Sequence, residues 1–166
     1  MSDPEGRRAQ LPEAYGLKED SRVLPWSHVR ERMTAAKHYW IATASAAGSA
    51  YCRPVDGIWL DDKLWFGGSP EARWRRNLEQ RPDIEVHLED AASPVILSGR
   101  VETFRNDRAT AERLLAAALE KYPEYEPKLE HFEDQEELIF RPRMVLAWTL
   151  LYEDATRFDL PVEDGP

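Results

Sequence analysis

The chain has 166 residues and a formal net charge of -9, and that balance excludes nucleic acid and an anionic membrane surface as main partners, because both call for a positive footprint. Cys52 is the single cysteine, which excludes an internal disulfide and a Cys-rich zinc site. No apolar run approaches the roughly 20 residues of a membrane span, and MSDPEGRRAQ lacks a secretion leader, so the expectation is a reduced, cytoplasmic protein of one domain.

Residues 1–22 are polar and aperiodic, and are expected to be a flexible N-terminal tail or an arm on a partner subunit. The folded domain is expected over 23–160, followed by a C-terminal tail over 161–166. Pro25 suits the first turn of a helix, and Val29, Met33 and Ala36 follow at helical spacing. Strand signals come next: 39–45, a turn at Ala46–Ser49, then 50–60 with Pro54 and Gly57 suggesting an edge or bend, then Lys63–Gly67 after an Asp61-Asp62 turn. A helix is expected at about 70–80, and strands at 83–89 and 93–104. In the first of these, Ile84, Val86 and Leu88 alternate with polar residues, as in a sheet with one wet face. Residues 107–121 read as the strongest helix, with Asp107 as N-cap and Pro123 beyond its end. The acidic, aromatic segment 122–136 reads as a cover, and 137–141 and 143–151 return to strand character. The predicted fold is mainly β with added helices (α+β), an antiparallel barrel of six or seven strands; an α/β sandwich is the competitor.

One segment concentrates chemistry. In LWFGGSPEARWRRNL (Leu64–Leu78), Gly67 and Gly68 let a ligand approach the backbone where a strand ends. Ser69 is a good N-cap and Pro70 fits the first helical position, so the unpaired N–H groups of the first turn would favour an anion. Arg73, Arg75 and Arg76 oppose the helix dipole, at about 0.3–1 kcal/mol each near the terminus. A bound phosphate would offset that cost. The competing reading is a capped surface helix whose arginines pair with neighbouring Asp and Glu. Tyr51, Arg53 and Val55 share one face of the preceding strand, and an inward Arg53 would need a partner, either an acid such as Asp56 or the same phosphate. The histidines, His28, His38, His87 and His131, lack metal-ligand spacing.

The order Tyr39–Ala44 (YWIATA), Arg53–Leu60 (RPVDGIWL), Leu64–Ser69 (LWFGGS), Arg73–Pro82 (RWRRNLEQRP), Asp83–Glu89 (DIEVHLE) and Ala155–Phe158 (ATRF) resembles the pyridoxamine 5′-phosphate oxidase-like split β-barrel family, across about residues 25–158. That family includes FMN-binding and deazaflavin F420-binding oxidoreductases. The resemblance implies a Greek-key-like split barrel acting as a homodimer, with the cofactor in a groove between subunits and a small-molecule substrate. Arg53 and Val55 match its Arg-x-Val strand, and Arg73 its helix-start arginine. The implied cofactor-binding set is Arg53, Pro54 and Val55; Phe66, Gly67, Gly68 and Ser69; and Arg73, Trp74, Arg75, Arg76 and Asn77. Ala72 and Trp74 stand where a phosphate-binding serine and lysine are expected, removing two contacts of about 1.5–3 kcal/mol each. The C-terminal arginine signature of pyridoxamine-phosphate oxidases proper is absent. The expected function is hydride transfer by FMN, or alternatively F420, to a small organic substrate. Its competitor is a non-catalytic binder or carrier of a flavin, haem-derived or similar planar ligand, and a barrel kept for subunit interaction is the third reading. Tyr51, Trp59, Trp65 and Trp74 are candidates for lining a ring site.

Overall fold

Residues 2–161 are described by the structure, a computed structural model. In chain order they form β1 (Gly6–Arg8), α1 (Trp26–Ala35), β2 (His38–Ala44), β3 (Ala50–Asp56), β4 (Ile58–Leu60), β5 (Lys63–Phe66), α2 (Arg73–Gln80), β6 (Asp83–His87), β7 (Val95–Arg105), α3 (Arg108–Lys121), β8 (Glu136–Ala147), α4 (Leu151–Asp154) and β9 (Thr156–Asp159). The strands pair antiparallel in the order β1-β9-β8-β7-β6-β2-β3, and β5 joins β8 while β4 joins β5. The path does not close on itself, so the architecture is the α+β split barrel expected.

The longest ladder joins β7 to β8, from Val95 opposite Ala147 to Arg105 opposite Glu136. The sequence suggests two strands at 137–141 and 143–151, because Pro142 interrupts the run. The structure has one, ending at Ala147. Proline cannot donate to the ladder, and the register shifts opposite it, between Ser98 and Gly99. Gly99 makes the bulge possible: a Cβ there would lie 2.2 Å from the Arg141 carbonyl oxygen.

Alternate residues of the strands fill two cores. Tyr39, Ile41, Leu64, Phe66, Leu97, Phe140 and Phe158 join Trp26, Val29 and Met33 of α1 in the larger one. Trp65 and Ile139 point the other way and meet Leu114, Ala118 and Tyr122 under α3. Leu64–Phe66 of β5 and Leu138–Phe140 of β8 are therefore buried on both faces, which explains their continuous apolar character. The β4–β5 turn is held from both sides. Asp61 and Asp62 take positive φ, 53° and 56°, as a two-residue hairpin turn demands. Arg113 of α3 binds Asp61 in bidentate fashion at 2.6 and 2.7 Å, and Arg30 and Trp26 of α1 bind Asp62 at 3.0–3.2 Å.

Four further placements differ from expectation. Nine strands occur among the described residues rather than six or seven. The run 50–60 breaks into β3 and β4 at Gly57, where a Cβ would meet Leu64 at 2.8 Å and the Trp65 carbonyl at 2.9 Å. In the segment expected to be an N-terminal tail, Gly6–Arg8 pairs with β9, and Arg7 binds Asp159; a three-residue edge strand is too short to show periodicity. β9 itself closes a stretch that the sequence marks only as ATRF. Of the expected C-terminal tail, only Pro161 is among the described residues.

The break at Gly57 is anchored by the end of α3. Lys121 donates to Tyr39 Oη at 2.6 Å and to the Gly57 carbonyl at 2.9 Å, and Tyr122 Oη accepts from the Gly57 N–H at 3.0 Å. Burial lowers the Lys121 pKa to about 8, against a smaller opposing pull from Asp56.

Gly99→Ala is expected to destabilise the fold by about 1–3 kcal/mol through backbone overpacking, read as a lower urea midpoint at unchanged m-value. Between about pH 8 and its unfolded value of 10.5, Lys121 binds fewer protons in the folded chain than in the unfolded one, so its contribution to stability rises with pH across that window. Lys121→Met should flatten the rise in urea midpoint between pH 7.5 and 9.5; an unchanged slope would remove Lys121 as its source.

Candidate functional site

β3 is the last strand of the sheet path, paired only with β2, and its Pro54 suits an edge. Val55 is buried, whereas Arg53 is exposed rather than turned inward as a buried charge. Its guanidinium lies over the Tyr51 ring at 4.1 Å, and Nη1 donates to the Cys52 carbonyl at 2.6 Å. The Arg73 guanidinium, from the first residue of α2, lies over the same ring at 4.9 Å. Two cations from separate elements thus meet on one aromatic ring. Among the described residues, neither they nor Arg75 and Arg76 have a carboxylate oxygen within 4.0 Å. The surface-helix alternative, in which these arginines pair with nearby acids, is therefore not what the chain does.

The helix begins three residues later than Ser69 and Pro70 suggest. Ala72 is the N-cap, with no side-chain cap, and the first intrahelical bond runs from the Arg76 N–H to the Ala72 carbonyl at 3.2 Å. Ser69 instead makes a turn, its Oγ accepting from the Glu71 N–H and its carbonyl from the Ala72 N–H. The first-turn N–H groups of Arg73, Trp74 and Arg75 consequently lack intrahelical acceptors, on the side where Arg73 stands. A polar cleft of about 340 Å³, lined by Ala46, Arg73, Arg76, Asn77 and Gln80, runs beside this turn. Its electrostatics and donor set fit a phosphate: guanidinium groups and backbone N–H groups, with no opposing carboxylate.

Asn77 is a strut. It is buried, and its Nδ2 donates to Thr43 Oγ1 of β2 at 3.0 Å, while that hydroxyl donates to the Tyr51 carbonyl at 3.3 Å. This chain ties α2 to the hairpin carrying Arg53. Trp74 is turned away from the cleft: its ring lies 5.9 Å from that of Phe66 and covers Gly68, where a Cβ would meet Cζ2 at 2.5 Å. Gly68 is thus demanded by Trp74 packing. Phe66 is in the core, Gly67, Ser69, Arg75 and Arg76 belong to the junction itself, and Pro54 is exposed on β3 opposite Trp40. Of the other aromatic candidates, Trp59 is a core residue and Trp65 walls a separate cavity.

That cavity holds about 260 Å³ between β4, β5, α3 and the segment 122–136, which forms two short 3-10 turns at Pro123–Tyr125 and Leu129–His131. Glu137 enters it beside Gly67, with Oε2 3.5 Å from where a Gly67 Cβ would stand. Burial pushes the Glu137 carboxyl up to about 7, and Arg75 pulls it back only partly. Sequence reasoning passed over Thr43 and Glu137. A threonine in a strand and a glutamate in an acidic run carry no local signal, whereas Tyr51 was indicated by its two-residue spacing from Arg53.

A family model described as pyridoxamine 5′-phosphate oxidase matches residues 26–149. No curated protein matches the sequence. Among solved structures, the chain is similar to a conserved hypothetical protein of Mycobacterium tuberculosis, at 17% identity and TM-score 0.63 over 80% of this chain and 88% of that one. It is also similar to a heme-binding protein of Mycobacterium smegmatis, at 18% and 0.62 over 83% and 60%. A third is a Clostridium acetobutylicum protein related to general stress protein 26 of Bacillus subtilis, of the pyridoxinephosphate oxidase family, at 19% and 0.58 over 81% and 93%. At these identities the structural likenesses speak for the fold.

Asn77→Ala should cost about 1–3 kcal/mol by removing a buried hydrogen bond and leaving Thr43 short of its donor. Thermal denaturation followed by circular dichroism checks this, and a variant as stable as the parent would show that the strut is not needed.

Proposed function

This chain belongs to the pyridoxamine 5′-phosphate oxidase family, and from that premise we propose that it is an FMN-dependent oxidoreductase transferring hydride to a small organic substrate, with F420 as the alternative cofactor. The observation that carries this reading is the meeting of Arg53 and Arg73 on the Tyr51 ring without a carboxylate partner. Holding two guanidinium groups at one spot beside the positive end of α2 is unfavourable unless an anion joins them. A phosphate monoester would accept from both and from the first-turn N–H groups, with Arg76 reaching it from within the cleft. Bound flavin supplies the redox chemistry; the protein binds, orients and excludes water.

Arg53 and Arg73 anchor the phosphate, Tyr51 holds their side chains in register, and Asn77 fixes the helix that carries Arg73. Gly67, whose added Cβ would meet only Glu137 Oε2 at 3.5 Å, leaves backbone open to the rest of the cofactor. β3 lies at the end of the sheet path, so a second copy of the chain would complete the groove; the working unit in this reading is a homodimer. Pyridoxamine-phosphate oxidation proper is not proposed, since the region Ala155–Phe158 reads ATRF without the arginine signature and Arg157 is engaged with Asp159 at 2.7 Å. Among the described residues no helix is long and apolar enough to cross a membrane.

The second reading, a carrier of a planar ligand without catalysis, draws support from the heme-binding protein that shares the fold and from Ala72 and Trp74. Alanine offers no hydroxyl, and Trp74 is spent on Gly68 and Phe66.

Titration of the purified protein with FMN, and separately with F420, should give saturable binding of one of them. Arg53→Ala and Arg73→Ala should each raise its Kd roughly tenfold or more, as expected for loss of a charge-assisted contact. Reduction of the bound cofactor by a nicotinamide, or oxidation of reduced F420 by an organic acceptor, marks the enzyme; binding without turnover marks the carrier. Failure to bind either would sink the oxidoreductase reading, and failure to bind hemin as well would sink the carrier reading.

A further inference from the structure

The sheet face turned away from the larger core is not polar. Along β2, β7 and β8 the inward residues Ile41, Leu97 and Val145 are buried, while the outward Trp40, Ala42, Ile96, Met144 and Leu146 stand half-exposed. The wet face of an antiparallel sheet is ordinarily polar, and a continuous apolar patch on it marks an interaction surface.

The pairing registers arrange this face in adjacent rows that cross the sheet from β2 to β9. Trp40, His87, Ile96, Leu146 and Arg157 form one row, and Ala42, Glu85, Ser98, Met144 and Asp159 form the next. The first is a ridge: the Trp40 and His87 rings lie 3° from parallel with centroids 6.3 Å apart. The second is its mould, since Ala42 and Ser98 are small and, with Ala44 and Glu85, line a depression of about 440 Å³. Among the described residues neither Glu85 nor His87 has an oppositely charged partner within 4.0 Å. Asp83, the other acid of the depression, is already held by Arg100 and Arg143.

A two-fold axis lying in the face between the rows, perpendicular to the strands, sets each residue of one row over its neighbour in the other. Trp40 then meets Ala42, His87 meets Glu85, Ile96 meets Ser98, Leu146 meets Met144 and Arg157 meets Asp159, each pair formed reciprocally. Large side chains fall on small ones, base falls on acid, and Leu146 with Met144 is apolar on both sides. Such self-complementarity is what an isologous interface requires, and sheets stacked this way pack about 10 Å apart with strand directions within about 30°.

We propose that two copies of this chain associate face to face through these rows, the Trp40 ridge of each seated in the Ala42–Ser98 depression of the other. The inference deepens the homodimer of the cofactor reading and rests on it only for the groove. Pro54 and Cys52 carry the rows onto β3, opposite Trp40 and Ala42, and strand alternation turns Arg53 to the other side. The two β3 edges therefore lie along one border of the pair, each beside its own arginine cleft.

Sedimentation equilibrium of the cofactor-free full chain tests this, so its outcome is read independently of flavin binding. The unaltered protein should be a dimer. Ala42→Arg, which fills the depression, should raise the dimer dissociation constant roughly a hundredfold or more, while Leu119→Arg, at an exposed position of α3, should leave it unchanged. His87→Glu should weaken association about tenfold by setting acid on acid, and adding Glu85→Lys should restore most of the loss. Circular dichroism confirms that each variant is folded, and the His87 and Glu85 changes decide the matter if Ala42→Arg does not fold. A monomeric parent, a dimer indifferent to Ala42→Arg, or a His87→Glu defect unrelieved by Glu85→Lys overturns the proposal.

Discussion

The β7–β8 ladder is the constraint on which the remaining structure depends. One side of it carries β6, β2 and β3, and the other carries β9, β1, β5 and β4. Because β5 pairs with β8 with Phe66 opposite Leu138, the chain leaves β5 with Gly67 facing Glu137. The pairing of β6 with both β7 and β2 fixes where the β2–β3 hairpin can stand. The arginine cleft and the Glu137 cavity are thus placed by hydrogen bonds made far from either. The bulge at Gly99 lets so long a ladder pass Pro142 without losing its later register.

Charge divides the molecule into a paired majority and an unpaired minority. Arg7, Arg30, Arg32, Arg108, Arg113 and Arg143 each hold a carboxylate. Exposed pairs of this kind add little stability individually. Against that background, Arg53, Arg73, Arg75 and Arg76 stand without one around the same helix start, and Glu137 stands without a donor on the other side of Gly67.

The candidate site was legible where its signals are local. A strand ending in two glycines, a turn and a helix rich in arginine can be read from Gly67 to Leu78, and the two-residue spacing of Tyr51 and Arg53 puts them on one face. The cap was misplaced because Ser69 and Pro70 suit a helix start and a tight turn equally well, and packing of Trp74 on Gly68 selected the turn. Trp74 looked available for a ligand because its burial depends on Phe66, a residue on another element. The strut made by Asn77 had no local signal, because its partner, Thr43, lies 34 positions away.

The sequence by itself determined the α+β class and the antiparallel barrel. These rest on periodicity, capping residues and turn residues, which act over a few positions. Only the tertiary structure decided that Pro142 is bridged rather than strand-ending, that Gly6–Arg8 is an edge strand, that Arg53 and Arg73 share the Tyr51 ring, and that Glu137 lies unpaired in an aromatic cavity. Each of these depends on which distant surfaces meet, and a ladder's register, a guanidinium's missing partner and a carboxyl's desolvation exist only once they do.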